Sequence, residues 1–213
     1  MKLSKSELIQ AQVALLVAII LQIVVWRINH GVFSSFQYIV VITEVVLALL
    51  LGLSSGVRGS HGRTVQHTVA TVLIGLVTLA NFASLAVVIY VLTQGQITGG
   101  TALLGSAIAI FFTNIIVYAL WYWEIDSPGL TNHRWSKADK DFQFTQQNNP
   151  VEFAGWRPRF IDYLYISVIN SLNGASLGAQ PLTSHAKILM GTQAVISILT
   201  LALVVARSVG ILG

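Results

Sequence analysis

The sequence predicts an all-α, polytopic transmembrane helical bundle of five spans plus a re-entrant helix, or six spans if that last segment crosses fully. Three observations predict it. Of 213 residues, 54% are hydrophobic and only 9% are charged, whereas a soluble surface needs roughly a quarter or more of its residues charged. The mean hydropathy is +0.74. Apolar runs recur at lengths close to the roughly 20 residues that cross about 30 Å of hydrocarbon, and short polar loops separate them.

The first span, Leu8 to Trp26, follows Lys2 and Lys5 like a signal peptide. Trp26-Arg27 stands where a small-residue cleavage site would be, so an uncleaved helix is expected. Phe36 to Leu53, Gln66 to Leu92 and Thr101 to Trp123 supply three more spans, making residues 1–123 a four-helix transmembrane unit. Gly52 and Gly56 have small-xxx-small spacing, but at a span's end this says little about helix association. Residues 124–158 read as a polar cytoplasmic loop containing Pro128-Gly129, with an interfacial piece around Phe142 and Phe144. Residues 159–213 read as a pore-like re-entrant helix plus a last span, Ser184 to Val205. Pro158 suits a helix's first turn. From Arg159 to Asn173 that helix rises about 22 Å, short of a crossing. The stretch Asn173-Gly174-Ala175-Ser176-Leu177-Gly178 then favours a break.

Basic residues fix the orientation, because they are retained on the cytoplasmic side. With the N-terminus inside, Lys2, Lys5, Arg58, Arg63, Arg134, Lys137, Lys140, Arg157 and Arg159 all fall inside and Arg27 falls outside. Lys187 and Arg207 split one to each side whether or not the re-entrant segment crosses. The spread of basic residues among loops serves topology, so nucleic acid is not an expected partner despite a pI near 9.6. Zero cysteines exclude disulfides and thiolate metal sites. His30, His61, His67, His133 and His185 lack metal-ligand spacing, and no nucleophile elbow or phosphate-cradling loop occurs. Neither enzymatic activity, a metal nor a cofactor is expected.

Polar residues inside the spans carry the functional expectation. Glu44 sits mid-span with no lysine or arginine in its helix, and an acid there is costly and by default functional. Asn81 and Asn114 fall near the same depth in the next two spans, so the three are a candidate intramembrane polar site. Ser167, Asn170 and Ser171 share a helical face with Gly174, and with Asn173 they are the candidate pore-lining groups. Glu124 and Asp126, after the aromatic belt Trp121-Tyr122-Trp123, form a candidate cytoplasmic mouth with Arg157 and Asp162.

Two resemblances follow from motifs. Tyr165 to Thr183 can be laid on the pore hairpin of potassium channels, matching its frame at Tyr165, Ser167, Pro181 and Thr183. The filter positions hold Gly174, Ala175, Ser176, Leu177 and Gly178 instead, so the coordinating carbonyl ring is not implied. Over most of its length the chain resembles an uncharacterised family of small bacterial multi-span integral membrane proteins. The motifs are T-N-x-x-x-x-A-L-W-Y-W-E at Thr113 to Glu124, D-F-x-F at Asp141 to Phe144, W-R-P-x-F-x-D-Y-L-Y at Trp156 to Tyr165 and P-L-T-x-x-A-K at Pro181 to Lys187. The family pattern has an S-P-T-D-like turn before its P-L-T, where this chain has Ala175-Ser176-Leu177-Gly178. The resemblance implies a bacterial inner (plasma) membrane location and carries no activity.

The expected function is channel-like or ion-handling, in a homo-oligomer within the lipid bilayer. A non-conducting scaffold or accessory subunit is the alternative. A small-solute transporter would need inverted repeats, and none is evident.

Overall fold

The structure is a computed structural model, and it describes residues 5–28, 36–54, 60–93, 100–126, 140–149, 151–173 and 178–212. It is helical throughout the predicted spans: α1 (Lys5–Ile28), α2 (Phe36–Ser54), α3 (Ser60–Thr93), α4 (Gly100–Asp126), α5 (Phe160–Asn173) and α6 (Ser184–Leu212). Among the described residues, four helices are long and apolar enough to cross a membrane: α1, α3, α4 and α6. The apolar stretches described in α2 and α5, Ile39–Leu50 and Phe160–Leu172, are shorter.

α4 is the central helix, packed against α1, α3, α5 and α6, while α2 lies outside against α3 and α1. This explains why α4 buries most of its circumference, from Leu103 to Ile125. By contrast α1, α2 and α6 expose rows of Ile, Leu and Val such as Ile20, Ile42 and Ile198. Apolar residues on the outside of a bundle are what a hydrocarbon solvent asks for. The helices form because an uninterrupted apolar run in lipid must satisfy its own backbone groups.

The directions are fixed by contacts. Asn114 meets Ser197 and Tyr122 meets Gln193, so α4 and α6 run antiparallel. A Cβ on Gly105, near the start of α4, would stand 3.6 Å from Ile28 at the end of α1, so those two are antiparallel as well. The N-terminal ends of α1 and α6 therefore share an end of the bundle with the C-terminal end of α4.

α5 starts at that same end. Its 14 residues span about 21 Å at 1.5 Å per residue. The chain then returns: Gly178 lies against Tyr165 and Ile166 in the first half of α5, where an added Cβ would be 3.1 Å from both side chains. That approach is tight enough that an added Cβ would push both side chains aside. Next comes β2 (Ala179–Pro181), which pairs antiparallel with β1 (Phe142–Phe144) in the register Phe142↔Pro181, Gln143↔Gln180 and Phe144↔Ala179.

The expectation of a solvated loop with an interfacial piece at Phe142 and Phe144 needs correction for its described part. Both phenylalanines are buried. Phe142 packs on Tyr122 (centroids 5.2 Å) and Phe144 on Tyr163 (5.3 Å) and Trp156 (5.5 Å). Alternation along a three-residue strand turns both rings to one face, and that face closes the end of the bundle. Pro128-Gly129 lies outside the described residues.

Exposed Lys140, Arg157, Arg159 and Lys187 gather around this end. Arg27 and Arg207 belong to the opposite ends of α1 and α6.

Candidate functional site

Three polar groupings stand out, at different levels of the bundle. The first is Glu44. On α2 the half-buried side chains Val40, Val41, Leu47 and Ala48 flank it at i±3 and i±4, so they form one inward stripe with the acid at its centre. Glu44 has 0% exposure, and among the described α2 side chains it alone is fully buried. Protein atoms alone enclose it. Neither carboxylate oxygen has a hydrogen-bond partner. On the neighbouring helices, Gln22 of α1 donates to the Val77 carbonyl of α3 (2.7 Å), and its own side-chain oxygen is also buried without a partner.

Glu44, Asn81 and Asn114 do not form one network. Asn81 is buried on α3, and Asn114 donates to Ser197 of α6 (3.0 Å). Helical phase explains this, because α4 turns Asn114 towards α6 whereas Glu44 belongs to the α2 layer on the other side of α3 and α1.

The second grouping joins α4, α5 and α6 around Gln193. Its amide nitrogen donates to Ser171 Oγ (2.8 Å), Ser167 Oγ (2.7 Å) and the Ser167 carbonyl (3.0 Å). Its carbonyl oxygen accepts from Asn170 (2.8 Å) and from the Tyr122 hydroxyl. Ser167 donates onward to the Ile115 carbonyl (2.7 Å), and Asn170 to the Met190 carbonyl (3.0 Å). The polar face of α5 is thus brought together as expected, but it turns into the bundle and saturates itself. Asn173 ends α5, and its side chain lies outside the described residues. Gln193 had no mark in the sequence beyond being an amide within the last apolar run.

The third grouping is a clasp at the charged end. Asp126 Oδ1 accepts from the backbone N–H groups of Asp141 (2.6 Å) and Phe142 (3.1 Å), while Oδ2 accepts from the Tyr163 hydroxyl (2.6 Å). Asp141 in turn accepts from Thr183 Oγ1 (2.6 Å), and its carbonyl from the Leu182 N–H (2.8 Å). Thr183 Oγ1 caps α6 by accepting from the Ala186 N–H (3.3 Å). The motifs D-F-x-F and D-Y-L-Y therefore converge on one acid, Asp126, and P-L-T is tied to it through Asp141. No sequence spacing could join stretches so far apart in the chain.

Of the other residues expected at the mouth, Glu124 is fully buried in the last turn of α4. Asp162 accepts from the Arg159 N–H (2.7 Å) and so caps α5. Arg157 is exposed. Among the described residues, Asp126 and Asp162 are engaged by backbone amides and a phenol. No group of three or more metal-ligating side chains occurs among the described residues.

Comparison of the chain with known protein families, curated proteins and solved structures finds no match. The site must therefore be read from its own geometry.

Proposed function

We propose that this chain is an ion-handling protein of the bacterial inner membrane, with Glu44 as the group that takes up and releases a proton or small cation. One observation carries the reading: the fully enclosed position on α2 is given to an acid with no partner. A packing role there is served better by any aliphatic residue, since an unpaired buried carboxyl loses its water without compensation. The cost is tolerable where the group exchanges a charge.

In this reading α1 to α4 and α6 are the five spans, and α5 re-enters from the cytoplasmic side. The 14-residue length of α5 and the return of Gly178 to its flank support this. The N-terminus is cytoplasmic, supported by the exposed Lys140, Arg157, Arg159 and Lys187 at one end against Arg27 and Arg207 at the other. The channel-like hairpin acts as a rigid wall, because Ser167, Asn170 and Ser171 spend their hydrogen bonds on Gln193. Exposed apolar faces of α1, α2 and α6 meet lipid and further copies of the chain. The family resemblance is consistent with this placement and adds no activity to it.

The test is ion flux in proteoliposomes, read with a pH-sensitive dye and with sodium or potassium gradients. The unaltered chain is expected to pass protons or a monovalent cation, and Glu44→Gln to abolish that flux. Flux unchanged by Glu44→Gln removes the residue from the mechanism.

A second reading, the non-conducting scaffold, is favoured by the closed Gln193 network, in which Ser167, Asn170 and Ser171 are all engaged. It predicts no flux from the unaltered chain and a more stable Glu44→Leu variant.

A further inference from the structure

An open groove of about 290 Å³ lies at the charged end of the bundle, beside the clasp and apart from Glu44. Its lining includes Phe144, Thr145, Gln146, Asp162, Tyr165 and Gly178. Asp162 is the single acidic side chain in that lining, and no basic side chain lines it. One carboxylate oxygen of Asp162 holds the Arg159 N–H, and the other accepts no hydrogen bond among the described residues. Tyr165 is 55% exposed. An acid beside aromatic rings is the chemistry that holds an ammonium group, through ion pairing and cation–π attraction.

Position narrows the ligand. The groove is at the end where Lys140, Arg157, Arg159 and Lys187 are exposed, the depth at which α4 and α6 would leave hydrocarbon for headgroups. Arg157 and Arg159 stand just before α5 on the same stretch as Asp162, and guanidinium groups suit a phosphate. An amine and a phosphate one short linker apart are the two charges of a zwitterionic headgroup. We propose that this groove binds the headgroup of an amine-bearing phospholipid, the ammonium on Asp162 and Tyr165 and the phosphate at Arg159.

The proposal is tested on the purified full chain in neutral detergent. Retention of phosphatidylethanolamine, phosphatidylglycerol and free phosphoethanolamine is measured by native mass spectrometry. Phosphatidylethanolamine is expected to be held over phosphatidylglycerol. Asp162→Asn keeps an oxygen to cap α5 but loses the charge, and should weaken that retention about tenfold, as loss of one charge-assisted bond does. Tyr165→Leu should weaken it in a chain whose α5 cap is intact. Glu44→Gln should leave it unchanged, which separates this site from the proposed ion path. Equal retention of the two lipids, or an Asp162→Asn chain that binds like the unaltered one, overturns the proposal. Free phosphoethanolamine held as tightly as the lipid also overturns it, making a soluble amine the ligand.

Discussion

Gln193 and Glu44 show opposite ways of burying a polar side chain. Both are fully enclosed. Gln193 satisfies its amide nitrogen and its carbonyl from two neighbouring helices, α4 and α5. Replacing it by leucine takes a partner from Asn170, Ser167, Ser171 and the Tyr122 hydroxyl together. We expect Gln193→Leu to cost about 1–3 kcal/mol, the usual penalty for buried groups left unpaired, read as a lower thermal midpoint in detergent. Glu44 has nothing to lose in this sense. Glu44→Leu should hold or raise the midpoint, even where Glu44→Gln abolishes flux, and a fall in stability would assign the carboxyl a structural bond. Gly178 makes a steric point at the same scale. Its 3.1 Å approach to Tyr165 and Ile166 leaves no room for a branched side chain. Gly178→Val should destabilise by about 1–3 kcal/mol through overpacking, measured the same way. The acid was legible in the chain because a charge inside an apolar run is costly wherever the helix turns it. The amide was not, because one glutamine in a span reads the same whether it faces lipid, a neighbour or a cavity.

Among elements, the short pair β1–β2 does more than its six residues imply. It brings Phe142 and Phe144 over the end of α4 and sets Thr183 as the cap of α6. Asp126 holds that arrangement by accepting from two backbone amides and from Tyr163. Removing it should free the pair, because an isolated two-stranded unit is marginal in water. Asp126→Ala is therefore expected to speed tryptic cleavage at Lys140 and Arg159 several-fold relative to the unaltered chain. Unchanged protection would mean that the aromatic packing alone seals the end. Some helix starts were readable: α2 and α5 start within a residue of the positions expected from composition and from Pro158, whereas α3 begins at Ser60 and α6 runs on to Leu212, beyond the apolar runs that marked them. The strands were not, since three-residue segments carry no periodicity and pair only once Asp126 and Tyr163 stand where they do.

For the whole molecule, the absence of cysteine makes topology directly measurable, because each introduced thiol is unique. Arg157→Cys, Lys187→Cys and Lys140→Cys should all label from one face of the membrane, and Arg27→Cys from the other. Labelling of Lys187→Cys from the face that labels Arg27→Cys would mean that α5 crosses and that the chain has six spans. The same labels on right-side-out and inverted vesicles decide whether the charged end is cytoplasmic.

Amino-acid order alone determined that the chain forms long apolar helices of the kind that suit a membrane, and which acid is out of place. Those properties are local, because apolar length and backbone self-satisfaction in lipid act within a single helix. Only the tertiary structure decided that the polar face of α5 closes on Gln193, that α2 turns its acid inward, and that two distant motifs meet at Asp126 while a third is tied in through Asp141. Those outcomes depend on the rotational phase of each helix about its axis. A span apolar on every side leaves that phase unspecified until its neighbours pack against it.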